Sequence, residues 1–176
     1  MVNSPEPDPA EPARKRPASS SGERGPRTVF SLSEEETVEF GRALGRGLEG
    51  GELILLEGDL GLGKTVFVRG VAAGLGAPPE DVSSPSFTLI QEYGGGRLQL
   101  FHVDLYRLDS AEEIATLGLD EILDAAGVTL VEWGEKLPPY YSAKAIVVRL
   151  HDVGEGCRRI ELIEQIGGEQ PRRGDA

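Results

Sequence analysis

Eight consecutive residues, Gly58-Asp59-Leu60-Gly61-Leu62-Gly63-Lys64-Thr65, match the pattern G-x-x-x-x-G-K-[ST]. Each residue type has a physical reason to be there. Glycines let the backbone turn tightly and bring successive N–H groups against phosphate oxygens, where a side chain would intrude. The helix that follows aims its N-terminal dipole and its free N–H groups at the same anion. The Lys64 ammonium then neutralises the β- and γ-phosphates, and the Thr65 hydroxyl ligates Mg²⁺. The chain has only four lysines, at positions 15, 64, 136 and 144, and one falls on the required position. Together these residues predict a nucleotide phosphate site.

Such a site needs a carboxylate close to the metal, at the end of a strand beside the loop. Two acids follow apolar runs: Asp104 after Leu100-Phe101-His102-Val103, and Glu132 after Val128-Thr129-Leu130-Val131. Spacing alone does not rank them. Between loop and acids runs Ser83-Ser84-Pro85-Ser86-Phe87-Thr88, a hydroxyl-rich stretch of the kind that presents a group to the γ-phosphate and relaxes after hydrolysis. Trp133, the one tryptophan, adjoins Glu132. His102 and His151 fall in strand patterns and read as packing residues. Arg69 and Arg107 read as surface ion-pair partners. Cys157 has no Cys or His pattern around it and predicts neither a metal site nor a nucleophile.

These residues must be positioned by elements that the patterning supplies. Ser33 with Glu36 fits a capping box and opens a helix over 34–48, with Val38, Gly41, Leu44 and Leu48 inward. Leu53–Glu57 (LILLE) is a buried strand leading into the loop, and Thr65–Leu75 is the helix leaving it. Ser86–Tyr93 and Arg97–Val103 flank three glycines and predict a hairpin. Ser110 and Glu113 repeat the capping box, Val128–Val131 is a second buried strand, and Ala145–His151 with Arg158–Ile163 forms a final hairpin. Early alternation with later hairpins predicts an α/β fold, a P-loop NTPase-like three-layer sandwich with a mixed β-sheet between helices.

Composition bounds the rest. The chain has 176 residues, 18 Lys plus Arg against 30 Asp plus Glu, and a net charge of −12. That acidity argues against gripping nucleic acid alone on a broad basic face. One cysteine excludes an internal disulfide framework, and the longest apolar stretches fall far short of the roughly 20 residues of a membrane helix. The expected setting is cytoplasmic, with no membrane association. Residues 1–27, rich in Pro, Ser and charge, read as a disordered leader. The body covers 28–166, and 167–176 reads as a flexible tail.

The strings GDLGLGKT, SSPSFTLIQEY, FHVDLYRL and LVEW, in this order, closely resemble the family of the tRNA threonylcarbamoyladenosine biosynthesis protein TsaE. The resemblance implies an ATP-binding protein with weak Mg²⁺-dependent ATPase activity. It would act as an accessory in placing the threonylcarbamoyl group on N6 of adenosine 37 of ANN-decoding tRNAs. The partners implied are TsaD and TsaB, with tRNA contacted indirectly through that complex. By the same resemblance Glu132 is the magnesium-binding acid and Asp104 the second acid near the metal, needed for hydrolysis. Ser84 to Thr88 is the switch-like segment, and Glu34 and Thr37 lie where the family contacts the base. Trp133 counts with the nucleotide-binding residues. The alternatives are a small-molecule kinase or another P-loop nucleotide switch. No arginine-rich lid follows the loop, and no Asn-Lys-x-Asp guanine signature surrounds any lysine.

Overall fold

In the computed structural model, residues 26–164 are described. They form seven strands, β1 (Arg27–Ser31), β2 (Leu53–Glu57), β3 (Ile90–Tyr93), β4 (Leu100–Asp104), β5 (Val128–Glu132), β6 (Ile146–Asp152) and β7 (Arg158–Glu164), and five α-helices. The helices are α1 (Glu34–Gly47), α2 (Lys64–Leu75), α3 (Ala111–Ala115), α4 (Leu119–Leu123) and α5 (Pro139–Ser142). The expected leader and tail fall outside the described residues, except for Pro26 and Arg27, of which Arg27 already belongs to β1 and pairs with Leu162.

One mixed sheet has the order β1-β7-β6-β2-β5-β4-β3. Its four inner strands β6, β2, β5 and β4 run parallel. β7 with β1 and β3 add antiparallel margins. The apolar runs read from sequence are the buried centre: Ile54, Leu55, Leu56, Val128, Leu130 and Val131 are all at most 1 % exposed. One face packs on α1 and α2. The other packs on residues of α3, α4 and α5, which completes three layers. Parallel pairing makes β2, β4 and β5 end on the same side of the sheet, and the phosphate loop and both acids therefore meet there.

α1 and α2 touch through backbone. Gly41 and Gly45 are buried on α1 and face Gly70 and Gly74 of α2. A Cβ on Gly45 would stand 2.5 Å from the Val71 carbonyl oxygen, and one on Gly74 would stand 2.9 Å from the Arg42 nitrogen's counterpart a turn on, Arg46 N. The inner face of α1 is thus Thr37, Gly41 and Gly45, with Val38 and Leu44 only half-buried rather than central.

The first hairpin is shorter than the pattern suggested. β3 starts at Ile90, not Ser86, because Leu89 takes a left-handed conformation (φ 65°) and its N–H turns back to the Pro85 carbonyl at 2.6 Å. Both predicted helix caps form. Ser110 and Glu113 exchange both bonds of the capping box. Ser33 accepts from Glu36 N, whereas the Glu36 carboxylate reaches past it to Leu32 N.

Candidate functional site

The loop between β2 and α2 carries Lys64 into a nearly closed environment, where the residue is 4 % exposed. Its ammonium donates to the carbonyls of Gly58 (2.6 Å) and Asp59 (2.9 Å). It also lies 3.9 Å from the centre of the Trp133 ring. Burial lowers the Lys64 pKa from its ordinary value, and the negative field of Glu132, Glu135, Asp104 and Asp59 opposes that shift. A buried ammonium surrounded by acids and held over an aromatic face is a cation placed to receive an anion. Gly63 caps α2 at φ 90°, a conformation that suits glycine. A Cβ there would stand 3.2 Å from Arg158 Nε.

The first residue after Lys64 is tied to the end of the neighbouring strand β5. Thr65 Oγ1 donates to Glu132 Oε1 at 2.7 Å. The same oxygen lies 2.9 Å from His102 Nε2. Asp104 is engaged differently: its Oδ2 accepts from Ser84 Oγ (2.8 Å) and Ser86 Oγ (2.7 Å), and its Oδ1 from Tyr106 N (2.9 Å). The hydroxyl-rich segment is therefore docked on the second acid, while the first acid faces the loop threonine.

Around these groups is a cavity of about 440 Å³ whose wall includes Lys64, Thr65, Asp104, Glu132 and Trp133. Leu60, Gly61 and Gly63 line it from the loop, and Glu34 reaches it from the start of α1. Gly58, Asp59 and Leu62 line the neighbouring hollow on the β6 side. Those three expected contacts therefore lie off this cavity, and two more, Thr37 and Thr88, reach neither hollow. Thr37 is fully buried, with its hydroxyl 2.7 Å from Ser31 Oγ and donating to Ser33 O at 3.1 Å, so it anchors the start of α1. Thr88 is exposed and lies off the cavity wall, because the turn at Leu89 carries it outward. Phe87, 84 % exposed, takes its place at the mouth, with the Arg107 guanidinium 4.1 Å from its ring.

Three side chains escaped the sequence reading. His102 reaches Glu132 rather than simply packing. Arg158 at the start of β7 donates through Nε to the Leu62 carbonyl at 2.8 Å and holds the loop from outside. Lys136 donates to the carbonyls of Leu105, Tyr106 and Leu108, bracing the turn that follows Asp104. Arg69, expected as a surface ion-pair partner, instead donates to the Val82 carbonyl at 3.1 Å.

The donor set suits magnesium. Thr65, Glu132 and Asp104 offer hard oxygen atoms, and among the described residues no cluster of three or more His, Cys, Asp or Glu forms a protein-only cage. Mg²⁺ is commonly held in that way, by one or two carboxylates with phosphates and water completing its shell.

Strand, glycine loop, lysine at the helix start and a strand-end acid bonded to the loop threonine define a phosphate-loop protein of the mixed α/β class. The sequence model of the threonylcarbamoyl adenosine biosynthesis protein TsaE matches residues 31–160. The chain belongs to this family. It is 40% identical over 132 residues to the tRNA threonylcarbamoyladenosine biosynthesis protein TsaE of Treponema pallidum, covering 75% of this chain and 96% of the relative. The corresponding Bacillus subtilis protein is 38% identical over 130 residues, 74% of this chain and 80% of that one. The crystal structure of Bacillus subtilis YdiB superposes with a TM-score of 0.62 at 33% identity, covering 78% of this chain and 84% of that chain.

Proposed function

We propose that this protein binds ATP with Mg²⁺ and hydrolyses it slowly, as the accessory ATPase of tRNA N6-threonylcarbamoyladenosine formation. The observation that carries the reading is the bond from Thr65, at the loop, to Glu132, at the end of a neighbouring strand, in one cavity with the buried Lys64. Lys64 exchanges its bonds to the Gly58 and Asp59 carbonyls for phosphate oxygens, which relieves its burial. Thr65 gives its hydrogen to Glu132 and keeps its lone pairs for the metal. Bound magnesium supplies positive charge to the phosphate oxygens. Asp104, gripped by Ser84, Ser86 and the Tyr106 N–H, orients the attacking water, and the serines let the segment before β3 respond when the γ-phosphate leaves.

The proposed setting is the cytoplasm, with TsaD and TsaB homologues as partners and tRNA met through them. No helix among the described residues is long and apolar enough to cross a membrane. The net charge of −12 also favours work inside a complex over independent tRNA binding. The test is phosphate release from ATP and from GTP with Mg²⁺, alone and with TsaB plus TsaD. Slow ATP-selective release that the partners alter and Lys64→Ala abolishes is expected. A preference for GTP, or indifference to the partners, refutes the reading.

A further inference from the structure

His102 sits in the middle of β4 with 0 % of its surface exposed, between Phe101 and Val103. A polar ring in that position needs a reason. Its Nε2 is 2.9 Å from Glu132 Oε1, and its Nδ1 has no hydrogen-bond partner. An ionised carboxylate only accepts, so Nε2 donates the hydrogen, and Nδ1 stays buried without a partner. An unpaired buried polar atom is a cost that leucine or phenylalanine would avoid. The Glu132 bond is the ring's one hydrogen bond among the described residues, so whatever offsets that cost acts through Glu132.

The geometry at Glu132 shows what is gained. His102 Nε2 and Thr65 Oγ1 both address Oε1, from opposite ends of the network, and no described residue hydrogen-bonds Oε2. Two donors on one oxygen fix the rotation of the carboxylate. We propose that His102 is a positioning residue for the metal-facing pair Thr65–Glu132. Its ring N–H clamps Oε1 where the Thr65 hydroxyl must deliver its hydrogen, which turns the hydroxyl lone pairs toward the cation that accompanies the nucleotide. Oε2 is left for the water shell of that cation. The inference rests on the magnesium–nucleotide reading of the site. Partners of this kind, one step behind a ligand, commonly set metal affinity by 10- to 100-fold.

Three substitutions separate positioning from packing. The amide nitrogen of His102→Gln reaches the place of ring Nε2, that of His102→Asn only the place of Nδ1, and His102→Leu offers no donor. Nucleotide binding is followed by Trp133 emission in a Mg²⁺ series and in EDTA, without reference to turnover. The expected result is a Mg²⁺ midpoint raised about tenfold or more in Asn and Leu, with the affinity in EDTA unchanged and Gln close to wild type. Wild-type midpoints in Asn and Leu, or equal behaviour of Gln and Asn, overturn the proposal. If the wild type binds nucleotide equally with and without Mg²⁺, the metal reading itself fails and takes the proposal with it. Retained binding in Lys64→Ala marks a failure of the site assignment as a whole. Should the variants not fold, long-range proton–nitrogen NMR of the wild-type ring decides. An Nε2–H tautomer whose proton shifts when Mg²⁺ and nucleotide are added is required, and an Nδ1–H tautomer overturns the proposal.

Discussion

Asp104 and Glu132 are register partners on the parallel strands β4 and β5, so the two acids of the site end side by side. Adjacent in space, they serve different neighbours. Glu132 is bonded to the loop threonine, and Asp104 to the serines of the segment before β3. Two carboxylates at one edge are thereby given separate tasks by what donates to them.

Asp104→Asn keeps the shape and removes the charge. Nucleotide affinity is expected to hold while hydrolysis at saturating ATP falls about a hundredfold, the usual scale for losing a residue that handles the proton of the nucleophile. Equilibrium titration beside single-turnover phosphate release checks both halves. Loss of binding with turnover per bound ATP intact would refute the assigned role.

Lys64→Ala removes the buried cation and its bonds. ATP affinity should fall by about two orders of magnitude, or about 3 kcal/mol, as expected for losing charge-assisted contacts. Isothermal titration of the folded variant measures it.

The lowered pKa of Lys64 also makes a stability prediction. Burial favours its neutral form in the folded chain, so between the folded and the ordinary value of 10.5 the unfolded chain binds more protons. Stability from this group therefore rises with pH across that window, and its deficit is full below the folded value. Wild type minus Lys64→Met, compared by thermal melting, should shift in favour of wild type as pH climbs toward 10.5. A flat difference would show that the ammonium is not desolvated.

Arg158→Met frees the Leu62 carbonyl from its outside support. The fold should persist, amide exchange at Leu62–Lys64 should quicken, and nucleotide affinity should drop several-fold. Unchanged exchange at those amides would show that the loop holds itself.

Gly70→Ala places a methyl group 2.9 Å from Gly41 Cα and 3.0 Å from Arg42 N. Overpacking of this kind costs about 1–3 kcal/mol, more than the gain in helix propensity. The denaturation midpoint should fall at constant slope.

The parts of this structure legible in the sequence are those whose physics is local. The glycine loop, the run Leu53–Glu57 and the Ser110–Glu113 box each declare themselves within a few residues. β1 did not, because RTVFS becomes a strand only by pairing with β7, more than a hundred positions later in the chain. His102 and Arg158 were missed for the same reason: their partners lie 30 and 96 residues away. Thr37 and Thr88 were placed by likeness to a motif, and the backbone turned one inward and the other outward.

The glycine seam between α1 and α2 has a consequence for how the chain can vary. Where backbone meets backbone there is no rotamer to relax, so the seam has one register. A slip of one residue would drive Val38 or Phe40 against the neighbouring helix. The two helices are therefore keyed rather than cushioned, and Glu34 and Lys64, which start them at the same end of the seam, keep a fixed spacing. Substitution along this line cannot proceed by small compensating steps, and drift is confined to the helices' outer faces.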